Sequence, residues 1–212
     1  MEKKRTISMA VIRRLPKYHR YLGDLMRNDV DRISSKELGE RIGFTASQIR
    51  QDLNCFGDFG QQGYGYNVKE LFAQISSILG LTKGYKIIIV GAGNIGQALA
   101  NYSNFEKFGF DIDAIFDTNP KLIGIKIRDI EIRDIDTLES YLKNNDVAIA
   151  ILSVPGKVAQ SIADLLAKNN IKGLMNFAPV DLNSPEDVIV ENVHLIDSLL
   201  TLTCLLNEKT EK

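Results

Sequence analysis

Lys86-Ile87-Ile88-Ile89-Val90-Gly91-Ala92-Gly93-Asn94-Ile95-Gly96 is a short β-favouring run that ends in three glycines at fixed spacing. Branched apolar residues in unbroken succession, closed by glycine, read as a strand covered on both faces. The residues after it, Ala98-Leu99-Ala100, open a helix. Strand before and helix after are the two contexts that a G-x-G-x-x-G turn needs to hold a dinucleotide. In that pattern Gly91 allows the tight turn, Gly93 lets backbone approach a pyrophosphate, and Gly96 lets the helix pack on the strand. Ala92, Asn94 and Ile95 complete the turn at the amino end of the helix, where the dipole favours phosphate. Asp117 ends the next apolar strand, Ala114-Ile115-Phe116, 21 residues after Gly96. An acid there accepts from ribose hydroxyls and repels a 2′-phosphate, and no Arg follows closely, so NAD(H) is expected over NADP(H).

Beyond Gly96, strands and helices alternate. Strands are predicted at Ile112 to Phe116, Val147 to Leu152, Gly173 to Phe177 and within Val188 to Val193, with helices near Leu138 to Lys143 and Pro155 to Lys168. Such alternation predicts an α/β domain with a Rossmann-like parallel sheet. Ligands of open parallel sheets lie beyond the carboxyl ends of the strands. Ser153-Val154-Pro155 and Asn176-Phe177-Ala178-Pro179 should therefore border the nicotinamide end. These loops are mainly apolar, and an unpaired cationic ring is costly to bury, so neutral dihydronicotinamide should be preferred there. Ser198 to Asn207 is predicted as a last helix, with leucines around most of its circumference that demand burial on most sides.

The front of the chain has a different pattern. Leu15, Tyr18, Leu22, Leu25 and Met26 recur at helical spacing, with Pro16 placed in the helix's first turn. A second helix starts at the Ser34-Ser35 cap signal and stops at Gly43. Thr45 caps a third, Ala46 to Phe56, whose Ile49, Leu53 and Phe56 share a face. Two short helices joined by Gly43-Phe44-Thr45 form the helix-turn-helix pattern. Ser47, Gln48, Arg50, Gln51 and Asn54 lie away from the apolar face and are groove-reading types, while Arg14, Lys17, Arg20 and Lys36 suit phosphates. Glycines alternating with aromatics from Gly57 to Tyr66 predict a β-hairpin, a wing whose Gln61, Gln62 and Tyr64 face DNA. Asn67 to Leu81 is a linking helix.

At 212 residues the chain suits two small domains. The expected division is a winged-helix domain at 1–82, a nucleotide-binding domain at 85–193 and a carboxy-terminal helix at 195–208. Residues 1–84 carry 14 Lys and Arg against 9 Asp and Glu, and residues 85–212 carry 12 against 18. Only the front half is thus suited to a polyanion. Lys3, Lys4, Arg5 and Arg13 add to the basic start of the chain. No signal segment or spanning run is read, which implies the cytoplasm and no membrane. Cys55 and Cys204 show no metal-type spacing and are read as buried reduced thiols; no metal site is expected.

Arg14-Leu15-Pro16, Ser34-Ser35-Lys36-Glu37-Leu38-Gly39, Ile49-Arg50-Gln51-Asp52-Leu53, the Phe56 to Tyr66 ribbon, Gly91 to Gly96 and Asn176-Phe177-Ala178-Pro179-Val180 together resemble the Rex family of redox-sensing transcriptional repressors. The resemblance spans nearly the whole chain, in family order. It implies a homodimer that binds double-stranded, palindromic operator DNA when NAD+ predominates and releases it on binding NADH. It also implies that the last helix swaps onto the partner, that Ser35 and Thr45 join the DNA contacts, and that Arg20 and Tyr102 lie near an interdomain switch. Gln51 and Gln62 stand where many members have basic residues, and His194-Leu195 stands where Asp-Phe is common. The alternatives are an NAD-dependent dehydrogenase, disfavoured because only 116 residues follow Gly96 and the two histidines suit no base, and a sensing module that regulates a protein partner.

Overall fold

The structure is a computed structural model that describes residues 7–57 and 64–210. The chain divides into two compact units between Lys83 and Gly84.

The first unit is built from α1 (Met9–Arg27), β1 (Arg32–Ile33), α2 (Ser35–Ile42), α3 (Ala46–Asn54), β2 (Tyr66–Asn67) and α4 (Val68–Ile78). Leu15, Tyr18, Leu22, Leu38, Ile49, Leu53, Leu71 and Ile75 form its core. Helix α2 begins with a reciprocal capping box: Glu37 N–H donates to Ser34 Oγ at 3.1 Å, and Ser34 N–H donates to Glu37 Oε2 at 2.9 Å. It ends at Gly43, whose φ of +79° a glycine accepts without a Cβ clash.

Helix α1 starts at the Ser8 cap, so Pro16 lies inside the helix rather than in its first turn. Its place costs one i→i−4 hydrogen bond, which core packing through Val11 and Leu15 offsets. Helix α3 ends at Asn54, two residues before Phe56, and α4 ends at Ile78. Tyr66–Asn67 pairs antiparallel with Arg32–Ile33, a strand too short to leave a periodic signal. The central residues of the expected wing, 58–63, including Gln61 and Gln62, lie outside the described residues, as do Lys3, Lys4 and Arg5. Cys55 and Cys204 are exposed, not buried. Cys55 follows the last turn of α3, away from its packed face.

The second unit carries β3 (Tyr85–Val90), α5 (Asn94–Ala100), α6 (Asn104–Lys107), β4 (Phe110–Asp117), β5 (Lys126–Ile127) and β6 (Ile130–Asp134). A 3₁₀ turn at Ile135–Thr137, then α7 (Leu138–Asn144), β7 (Ile149–Leu152), α8 (Gly156–Lys168), β8 (Gly173–Asn176), β9 (Ile189–Asn192) and α9 (Leu195–Thr210) complete it. The sheet order is β5-β6-β4-β3-β7-β8-β9, parallel except for the antiparallel β5–β6 edge, which the sequence pattern did not predict. Strands β6-β4-β3-β7-β8-β9 reproduce the doubly wound 3-2-1-4-5-6 order.

Alternation along β3 explains why the run is apolar throughout. Ile88 and Val90 pack with Phe116, Leu152 and the α7 and α8 residues Leu138, Ala163 and Leu166. Ile87 and Ile89 point to the other face, with Ala100 of α5, Ile115 and Ile132. Both faces are covered, as a central parallel strand requires. Helix α9 differs from every other helix: Leu195, Ile196, Leu199, Leu200, Leu202, Leu205 and Leu206 are all more than half exposed in the single chain. No helix among the described residues is long and apolar enough to cross a membrane.

Candidate nucleotide cleft and helix-turn-helix face

The glycine turn sits where β3 ends between its two neighbours. Gly91 has φ +100°, and a β-carbon there would meet Ser153 O at 2.5 Å. At Gly96 a β-carbon would meet Gly91 O at 1.9 Å. These two positions are glycine because backbone occupies the space. Gly93 differs: nothing lies within 4 Å of a β-carbon placed there, so its bare backbone faces the open cleft.

Ser153 and Asp117 fix the turn from either side. Ser153 Oγ donates to Gly91 O at 2.7 Å. Asp117 Oδ2 accepts from Ala92 N–H at 2.5 Å, and Oδ1 accepts from Asn119 N–H at 2.7 Å. The carboxylate thus ties the glycine turn to the end of β4, besides whatever it offers a ribose.

A cleft of about 600 Å³ opens over this turn. Gly91, Gly93, Asn94, Ile95, Asp117, Ser153, Val154 and Pro155, all predicted, line it. Ala92 is fully buried beneath it. Thr118, Asn119, Leu122, Ile135, Val158 and Ile162 line it as well and were missed. Val158 and Ile162 were legible as the i+3 and i+7 positions after Pro155; the loop residues carry no periodic signal. Among the described lining residues Asp117 alone is charged. The volume suits a nucleotide-sized ligand, and the open backbone at Gly93 fits a pyrophosphate, which would have to be held by backbone N–H groups rather than side-chain cations.

Asn176, Phe177, Ala178 and Pro179 are not among the lining residues. Asn176 is fully buried, and its amide donates to Val180 O at 2.7 Å and Asn192 Oδ1 at 2.8 Å. Its Oδ1 accepts from Ala178 N–H at 3.0 Å. The side chain shapes its own turn.

On α3, Ile49, Asp52 and Leu53 are buried and Ser47, Arg50, Gln51 and Asn54 are exposed. Asp52 was missed, although its i+3 spacing from Ile49 places an acid on the apolar face, where it needs partners. It has three. Arg14 Nε and Nη2 donate to it at 2.6 and 2.8 Å, Tyr18 Oη at 2.5 Å, and Gln48 Nε2 at 2.7 Å. Burial pushes its carboxyl up, but the hydrogen bonds from Arg14, Tyr18 and Gln48 outweigh burial and hold it below the usual carboxylate range. Arg14 and Gln48, both predicted to contact DNA, are therefore engaged inside the unit.

The remaining predicted residues lie as follows. Arg50 Nη1 donates to Ser35 Oγ at 2.9 Å, and the exposed Thr45 accepts from Gln48 N–H at 3.2 Å. Lys17 Nζ donates to Ile42 O at 3.3 Å, 5.0 Å from the Phe44 ring centroid. Lys36 and Tyr64 are exposed. Arg20 is exposed on α1; Tyr102, in the other unit, accepts from Asn104 Nδ2 at 3.0 Å.

Comparison with known proteins places both halves. Residues 6–54 match the family described as putative DNA-binding protein N-terminus, and residues 82–180 match the family described as CoA binding domain. Proteins named redox-sensing transcriptional repressor Rex from Clostridium tetani and Clostridium botulinum are 71% and 73% identical over 211 residues, covering 100% of both chains. A crystal structure of RSP in complex with beta-NAD+ and operator DNA has a TM-score of 0.92 at 59% identity, over 97% of this chain and 94% of that one. RSP in complex with beta-NADH gives a TM-score of 0.90 at 56% identity, over 96% of each chain.

Proposed function

Because the chain belongs to the Rex family of redox-sensing transcriptional repressors, we propose that it represses transcription by holding operator DNA on α3 and releases that DNA when NADH fills the glycine cleft. The observation that carries this reading is the cleft itself, where Asp117 ties down a glycine turn whose Gly93 backbone stays open. A dinucleotide would lay its pyrophosphate on that backbone and its adenosine ribose beside Asp117, with no cation among the described lining residues to attract a 2′-phosphate. Val154, Pro155, Val158 and Ile162 form an apolar wall. Such a wall favours the neutral reduced ring over the oxidised cation, which provides the sign of the redox response. The ligand is thus a regulator rather than a hydride donor in turnover, and the full-length relatives are repressors, not dehydrogenases.

On the DNA side, Ser47, Arg50, Gln51 and Asn54 form the base-reading surface of α3, and Lys17, Ser35, Lys36 and Thr45 surround it with phosphate-type contacts. The basic first half fits this role and the acidic second half keeps DNA off the nucleotide unit. RSP itself binds operator DNA with beta-NAD+. The exposed leucines of α9 fit a homodimer in which each last helix packs on the partner, so that two α3 helices meet a palindromic operator. A cytoplasmic protein follows from this role. The experiment is selection of operator DNA from a random pool in the presence of NAD+, then challenge with NADH. Release by NADH but not by equal NAD+ supports the reading; retention in both overturns it.

A further inference from the structure

The turn after β8 lines no part of the cleft, yet it is hydrogen-bonded on one side to a cleft-forming helix and on the other to the root of α9. Helix α8 contributes Val158 and Ile162 to the cleft. From the same helix Gln160 makes a reciprocal pair with Asn183, its Nε2 donating to Asn183 O at 2.8 Å and its Oε1 accepting from Asn183 N–H at 2.9 Å. The first residue of α8, Gly156, packs so closely on Val180 that a β-carbon there would come within 2.9 Å of Cγ1. Residues 180–183 therefore follow α8.

The far side of the turn is joined to the last strand. Asn176 Nδ2 donates to Asn192 Oδ1, and Val193 N–H donates to Asn176 O at 2.8 Å. His194 Nε2 donates to Asp181 Oδ1 at 3.1 Å. Asn192, Val193 and His194 are the three residues immediately before α9, which starts at Leu195. Every one of these bonds lies within the second unit.

We propose that residues 176–183 are a coupling linkage that passes a shift of α8, caused by nucleotide in the cleft, to the root of α9, with Gln160, Asp181 and Asn192 as its positioning residues. This inference rests on the reading of the protein as an NADH-released repressor. Its logic is mechanical. An apolar nicotinamide wall formed partly by α8 changes position with the ligand it covers, and hydrogen bonds at both edges of the turn make the turn and the start of α9 move with α8. A helix that packs on a second copy of the chain then carries that displacement to the dimer. None of the three positioning side chains touches the cleft or belongs to the proposed DNA face, so their task is separable from binding either ligand.

The test uses the full-length protein, the selected operator and NADH. Operator affinity is measured without nucleotide and with saturating NADH, and NADH affinity is measured alone, for the parent, for Gln160→Ala/Asp181→Ala and for Asn192→Ala. The linkage predicts that both variants keep each separate affinity while the factor by which NADH weakens operator binding falls by more than about threefold, within the range of allosteric couplings. A merely structural role would lower the separate affinities and leave that factor in place. Should Asn192→Ala fail to fold, the Gln160→Ala/Asp181→Ala pair, one half-buried and the other exposed, decides alone. A coupling factor within about threefold of the parent's overturns the linkage while the switch reading stands. A parent with no coupling overturns the switch reading and the linkage with it.

Discussion

Arg14 on α1 and Asp52 on α3 form a two-pronged ion pair, Nε to Oδ2 at 2.6 Å and Nη2 to Oδ1 at 2.8 Å, with the acid almost completely buried. The pair joins the proposed reading helix to the longest helix of its unit. Removing Arg14 leaves the buried carboxylate with only the neutral donors Tyr18 and Gln48, which is more costly than the pair itself is favourable. Arg14→Ala should therefore lower the unfolding free energy by about 3 kcal/mol, at the modest end for buried pairs because Arg14 keeps some exposure. Urea denaturation followed by circular dichroism checks this. Loss of operator affinity with unchanged stability would instead return Arg14 to the role of a phosphate contact.

Arg50 and Lys36 should separate base reading from phosphate binding. Arg50→Ala removes an exposed guanidinium that donates to Ser35 among the described residues, so the fold should survive while specific binding weakens by about 1 to 3 kcal/mol. Lys36→Ala should weaken all sequences alike and reduce the salt slope by about 1. Salt titrations against operator and random DNA distinguish the two. Equal losses on both DNAs for Arg50→Ala would contradict its place on the reading face.

The three glycines of the turn should fail in different ways. Gly96→Ala forces a β-carbon onto Gly91 O and should disrupt the fold of the second unit. Gly93→Ala has room, should fold normally, and should weaken NADH by on the order of tenfold, about 1.4 kcal/mol, by standing where pyrophosphate approaches. Fluorescence titration and thermal melting of both variants provide the comparison.

Asp117 serves two ends that substitution can separate. Asp117→Asn keeps an acceptor for one backbone tie but removes the negative charge, so NADPH should gain on NADH while the turn holds. Asp117→Ala should weaken both cofactors, because Ala92 N–H loses its partner. An NADPH-to-NADH affinity ratio in Asp117→Asn equal to the parent's would show that charge at this position does not select the ribose.

His19 is buried between α1 and α4, stacked on Phe72 at 4.3 Å and bonded to Ser76 Oγ at 2.9 Å. Burial lowers its pKa below the ordinary imidazole value. The unfolded chain then binds more protons than the native one between the two values, so stability rises with pH across that window. His19 contributes fully above the unfolded pKa of about 6.5, and that contribution is lost as pH falls through the lower native value. Melting temperatures of the parent and of His19→Gln between pH 7.5 and 5 check this; the parent should lose more on acidification.

How much of this was legible in the sequence depended on whether one residue's local chemistry decided its neighbourhood. Ser34, Glu37 and Gly43 bound α2 by capping and by positive φ, and Gly91, Gly96 and Asp117 place the cleft by contacts close along the chain or across one strand pair. Features that depend on long-range packing were not legible. Pro16 is the exception: proline's usual place puts it in a first turn, although Val11, four residues before Leu15, continues the apolar stripe and Ser8 supplies the cap. Arg32–Ile33 and the β5–β6 edge are strands only because a partner lies beside them. The engagement of Arg14 and Gln48 with Asp52 arises from α1 meeting α3, across 38 residues in the Arg14 case. Residue type implies a buried Cys204, whereas all the described side chains of α9 are exposed in the single chain.

NADH and operator DNA are expected to bind opposed arrangements of one protein. If NADH prefers the arrangement that cannot hold DNA, operator must weaken NADH by the same factor by which NADH weakens operator, because the two are linked through one free-energy cycle. Moving the population from mostly bound to mostly released requires about 5 kcal/mol of differential binding, shared between two sites in a dimer. The most direct measurement is NADH affinity with and without saturating operator, paired with operator affinity with and without NADH, at one fixed salt concentration. Two weakening factors that agree within error and exceed those for NAD+ are expected. An NADH affinity unchanged by operator would contradict it, even if each ligand binds tightly alone.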